Sequence, residues 1–113
     1  MPTYAPGDRI LFDVDLEDDE SEIAKVKIVF CLQSNKSKEI EFVYGGDPFQ
    51  SGQITLGYDV YGSVAPGLYE LKEFYAVDTK NNRNDFSPAG LEFQIENHSV
   101  DTEGPRLINV QFG

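Results

Sequence analysis

Tryptophan is absent from these 113 residues, and cysteine and histidine occur once each, as Cys31 and His98. A single thiol can close no disulfide within the chain, so the fold must rest on packing and hydrogen bonds. A domain of this length hides roughly 65% of its unfolded surface, which suffices without a staple. His98 has no second His or Cys at ligand spacing, so it reads as a surface loop residue, and Cys31 reads as a small apolar residue on a strand. There is no nucleophile elbow, phosphate-cradling glycine loop or Cys-x-x-Cys pair, and no enzyme is expected. Bases are scarce as well: nine Lys and Arg against twenty Asp and Glu leave a net charge of -11. Such a surface repels nucleic-acid phosphates and anionic lipid, so neither is expected as a partner, although it can attract divalent cations. No apolar run approaches the ~20 residues that cross a bilayer. The opening "MPTYAPGDRI" lacks the charged lead and apolar stretch of a signal peptide, which leaves a cytosolic protein or an internal piece of a longer one.

What the chain has instead is alternation. With 40% apolar and 12% aromatic residues it holds the material for one core. "DRILFDVDLED" sets Ile10, Phe12, Val14 and Leu16 on one face and Asp13, Asp15 and Glu17 on the other. Val26, Ile28, Phe30 and Leu32 continue the pattern, as do Ile40, Phe42 and Tyr44, then Ile54, Leu56, Tyr58 and Val60. "GLYELKEFYAVD" is the longest run, "GLEFQIE" carries Leu91, Phe93 and Ile95, and "RLINVQF" carries Ile108, Val110 and Phe112. In the longest run, Tyr69 and Leu71 share a face with Phe74 only across a break in register; a bulge and a strand buried on both sides both fit. The separators "DDESE", "QSNKSK", "GGDPFQSG", "GSVAPG", "KNNRNDFSPAG" and "NHSVDTEGP" are turn chemistry. The acidic "LEDDESEIAKV" reads as a loop with at most one helical turn. Seven short strands of this kind predict an all-β antiparallel sandwich or a barrel.

Two stretches carry a resemblance. "APGLYELKEFYAVDTKNN", residues 65–82, resembles the late strand of immunoglobulin-like repeats in large bacterial surface and secreted proteins. In those repeats a Pro-Gly turn precedes G-x-Y-x-[L/I] and the strand ends in Asp before a Gly-Asn or Asn-rich hairpin. Gly67, Tyr69, Leu71 and Asp78 match, and Asn81 stands where the family often has glycine, an exchange the left-handed conformation tolerates. Tyr69 also resembles the tyrosine corner of sandwich folds. "DTEGPRLINVQF" resembles the opening D-x-x-x-P-x-[L/I] of such a unit, with Asp101, Pro105, Leu107 and Phe112 in place, and "YAPGDRILFDVDLEDDESEIAKVKIVF" resembles the next two strands. The resemblance implies an immunoglobulin-like sandwich over residues 1–100. It implies that residues 101–113 are a linker and terminal strand, the start of a following repeat or a replacement first strand. Because "MPTYAPG" has no alternating run, the terminal strand is expected to pack in the vacant edge position of its own domain.

Two surfaces could bind something. Asp13, Asp15, Glu17, Asp18, Asp19 and Glu20 form an acidic run with no intervening base. Adjacent carboxylates can hold calcium, which takes six to eight oxygens, but the spacing lacks the glycine and bidentate glutamate of an EF-hand, and exposed acids on a strand need no ion at all. Phe49, on an expected loop tip in "YGGDPFQSG", could join Tyr44 and Tyr61 in an aromatic platform for sugar rings or fold back over the sandwich end. Two functional readings follow. One is a non-catalytic structural or adhesive module at a cell surface, with adjacent domains of the same polypeptide, a surface protein or a glycan as partners. The other is a carbohydrate-binding module of a secreted polysaccharide-degrading enzyme, and a cytosolic subunit stands as a third.

Overall fold

Residues 1–98 and 109–112 are described by a computed structural model of the 113-residue chain. Eight strands follow one another with no helix between them: β1 (Thr3–Tyr4), β2 (Arg9–Glu17), β3 (Ile23–Leu32), β4 (Asn35–Tyr44), β5 (Ser51–Asp59), β6 (Gly67–Asp78), β7 (Arg83–Asp85) and β8 (Glu92–Ile95). They form two sheets. The larger has the order β1-β8-β6-β3-β4, with β7 added to β6, and the smaller is the pair β2-β5. The described residues are therefore all-β, and the two sheets pack face to face.

The alternation explains the packing. Ile10, Phe12, Val14 and Leu16 leave β2 toward the larger sheet, opposite Tyr58, Leu56, Ile54 and Gly52 of β5. From the larger sheet come Val26, Ile28, Phe30, Ile40, Phe42, Tyr69, Phe93 and Ile95, all at most 2% exposed. Aromatic rings lock the layers. Phe12 stacks on Phe30 with centroids 5.5 Å apart and meets Phe42 edge-on at 5.0 Å. On the far side Phe93 meets Phe30 at 4.9 Å and stacks on Tyr69 at 5.3 Å. Each ring pair adds about 0.5–1.5 kcal/mol to the value of its buried area.

The break in β6 is a bulge. Phe30 faces Leu71 and Val29 faces Glu73, so Lys72 is the extra residue, and beyond it Phe74 and Ala76 return to the inner face. The opposite face is not bare either. Tyr75 is 8% exposed, because Arg83 lies 3.7 Å over its ring and Lys25 5.8 Å. Leu71, expected in the core beside Tyr69, is only half-buried against it.

Several sequence expectations are corrected. Residues 35–38, read as turn, begin β4: only Gln33 and Ser34 form the turn, and the Asn35 side chain accepts from the Ser37 amide and hydroxyl where the register shifts. Residues 18–22 are a loop, as expected, in which Asp18 accepts from the amides of Glu20 and Ser21. A short first strand does exist. β1 pairs parallel with β8, and Tyr4 meets Phe93 at 6.0 Å, a contact too short to need alternation. The terminal strand is not found among the described residues: residues 109–112 form no strand, and Val110 and Phe112 are exposed. Asp101, Pro105, Leu107 and Ile108 lie outside the described residues.

Candidate functional site

The acidic run divides by strand geometry. Asp13, Asp15 and Glu17 leave the outer face of β2 in a row, about 7 Å apart along the strand. Asp13 accepts from the Thr55 hydroxyl at 2.7 Å on β5. Asp18 turns its carboxylate to its own loop, taking the Glu20 amide at 2.9 Å and the Ser21 amide at 3.0 Å. Asp19 and Glu20 are exposed at the loop tip. Among the described residues no group of three or more His, Cys, Asp or Glu is gathered to hold a metal ion. The six expected calcium ligands thus lie on a strand face and a loop and converge on no common point.

The aromatic trio is divided as well. Phe49 is not a loop tip: it bridges to Ile23 through two backbone hydrogen bonds, 2.7 and 3.1 Å, and its ring packs on Tyr44 at 5.5 Å. The Tyr44 hydroxyl donates to the Asp47 carbonyl, which closes the loop over itself. Tyr61 sits at the other end of the molecule, past the Asp59 end of β5, where it meets Tyr58 at 6.1 Å. There Tyr58, Tyr61 and Tyr69 line a cavity of about 160 Å³. Burial pushes the Tyr58 phenol upward, and its hydrogen bond with Tyr61 adds to this; burial also raises Tyr69. No single platform joins Tyr44, Phe49 and Tyr61.

The polar groups that are buried serve the fold. Asp78 closes the β6–β7 hairpin, accepting from the Lys80 amide at 2.9 Å and from the Asn82 amide and side chain at 2.8 and 3.0 Å. Asn81 takes the left-handed conformation expected of it, with φ 67°. Burial alone would raise the Asp78 carboxyl, but the hydrogen bonds from Asn82, Ser21 and Lys80 outweigh it and hold it at about 2. Tyr69 donates to the Ala65 carbonyl at 2.8 Å, the corner bond expected of it. Gly67, just before it, has φ 134° and leaves no room for a side chain, since a Cβ would stand 2.7 Å from Leu32. Asn97 is 5% exposed, and its amide donates to the Gly62 and Val64 carbonyls at 3.0 and 2.8 Å. His98 next to it is exposed, as expected.

An open groove of about 810 Å³ runs beside β2. Phe12, Val14 and Leu16 form one wall, Ile28 and Phe74 the floor, and Phe86, Pro88 and Leu91 the other wall. Asp13, Asp15 and Asp85 stand at its rim. The far wall comes from "DFSPAG", a stretch of turn chemistry in the sequence, and from Leu91. Phe86 is set there by its amide donating to the Phe74 carbonyl at 2.8 Å and by an edge-on ring contact at 5.2 Å. The groove is apolar inside and acidic at its lip. No protein-family model, curated protein or solved structure matches the chain.

Proposed function

We propose that the chain is a non-catalytic immunoglobulin-like module that spaces or presents neighbouring domains of a larger cell-surface or secreted protein. The strand order carries the reading. Immunoglobulin-type sandwiches place their second and fifth strands in one sheet and their third, sixth and last strands in the other, and variable types add a further strand beside the third. Here β2 pairs with β5, while β8, β6, β3 and β4 lie side by side in the facing sheet. The Tyr69 bond to Ala65 at the start of β6 supports the same assignment. So do the Gly67, Tyr69, Leu71 and Asp78 matches along that strand.

A module of this kind acts through its ends and edges, and its partners are the adjacent domains of its own polypeptide. Its test is accessibility on intact cells of the source organism. Antibodies to the purified chain should label unbroken cells, and external protease should abolish that labelling. Signal seen only after lysis would overturn the reading. A glycan array addresses the competing carbohydrate-binding reading, and the module reading expects no bound glycan.

A further inference from the structure

We propose that the groove beside β2 is a strand-docking site, and that its occupant is residues 106–112 of a second copy of this chain. β2 is hydrogen-bonded to β5 on one side, and among the described residues nothing pairs with its other edge. An open edge carries a row of unused amides and carbonyls that an extended segment can complete. This edge adjoins an apolar groove, so a docked strand gains main-chain bonds and a place for alternate side chains together.

The chain carries the matching piece. "RLINVQF" alternates Leu107, Asn109 and Gln111 with Ile108, Val110 and Phe112, a polar-leaning row against an apolar one. Val110 is 77% exposed and Phe112 wholly so, which leaves two large apolar side chains unused in the single chain. Arg106 and the absence of any acid from residues 106–112 suit a rim formed by Asp13, Asp15 and Asp85.

Geometry favours a second copy over the chain's own tail. β2 begins near the pole where the Gly7 amide reaches the Val60 carbonyl, and Asn97 is fastened at that pole by Gly62 and Val64. Antiparallel pairing is the more stable of the two ladders per residue, and it requires a strand on this edge to enter at the far pole, beside Leu16. The nine residues of β2 span about 30 Å. Residues 97–105 reach about 30 Å only when fully extended, with none left to turn. A neighbouring molecule meets no such limit. Docking then joins unlike surfaces, so it closes into a reciprocal dimer or propagates head to tail.

The proposal does not depend on the module reading, and the test uses the full chain. Sedimentation from micromolar to millimolar concentration should show self-association that reverses on dilution. The full-length variant carrying Val110→Asp and Phe112→Asp should stay monomeric with an unchanged melting curve, because both residues are exposed. Adding a synthetic peptide of residues 103–113 to that variant should slow amide exchange along β2 and leave β4 unaffected. A peptide with the same two substitutions should bind at least about 10-fold more weakly. A monomeric native chain at every concentration would overturn the proposal, as would assembly that survives in the double variant. Slowed β2 exchange in a monomeric native chain would overturn it too, by assigning the groove to the chain's own tail.

Discussion

The two sheets share one core and differ in almost everything else. In the larger sheet β3 and β6 have bonded neighbours on both sides, and β3 is buried on both faces. Its outer Val29 and Cys31 are 2% and 4% exposed, although they face away from the core. Charged stems cover them: Lys27 pairs with Glu41 at 3.5 Å, Lys72 with Glu39 at 2.8 Å, Arg83 with Glu73 at 2.8 Å, and Lys36 with Glu70. In the smaller sheet β2 and β5 have only each other among the described residues, and the outer face shows Asp13, Asp15, Glu17 and Asp59 with Arg9 as the balancing base. The smaller sheet thus carries a net charge of -3 against -1 on the larger, although it has fewer strands to hold it. Burial on two faces makes the larger sheet the stable frame, whereas the smaller one depends on its inner face alone.

That contrast can be broken most sharply in the core. Phe42→Ala, at a site with no exposure, should cost ~3–5 kcal/mol in chemical denaturation. Val14→Ala, half-buried on β2, should cost about 1 kcal/mol. Equal losses at the two sites would mean that the smaller sheet is as firmly held as the larger. Next comes Tyr69→Phe, which keeps the ring and removes the bond to Ala65; a loss of about 1 kcal/mol is expected.

Acid separates the hairpin of the larger sheet from the acidic face of the smaller. The Asp78 carboxyl titrates at about 2 when folded against an ordinary value of 3.8, so the unfolded chain takes up the proton first. Its contribution is therefore complete above the ordinary value and disappears as pH falls through the folded one. Asp78→Asn should flatten that part of the stability profile, measured by melting across the acid range. An unchanged acid slope in the variant would assign the loss to other carboxylates. The smallest effect belongs to the outer face of β2: Asp15→Lys should move stability by no more than about 0.5 kcal/mol, and melting curves in calcium and in chelator should coincide.

The long strands were legible because burial on one face writes a period of two: β2 shows it over nine residues, and β6 shows it on either side of the bulge at Lys72. The Asp78 hairpin was legible through the resemblance of residues 65–82 and through Asn81, whose side chain tolerates the left-handed turn. β1 and β7, with two and three residues, are too short to carry a period. Phe49 misled because glycines and a proline around it signal a loop, while its pairing with Ile23 depends on a partner 26 positions earlier. The groove was hidden for the same reason: Phe86, Pro88 and Leu91 acquire meaning only when β2 is placed opposite them. Asn109 to Phe112 keep the alternation of a strand but form none among the described residues, so a period of two does not by itself specify a pairing partner.

Residue-resolved amide exchange tests the central claim, that a fully bonded sheet faces one with an open edge. In dilute solution β3 and β6 should be protected at every position along their paired length. β2 should be protected only at alternate residues, those whose amides point to β5, with the others exchanging rapidly. Continuous protection along β2 in the monomer would contradict the account, because it would mean that the edge is already covered.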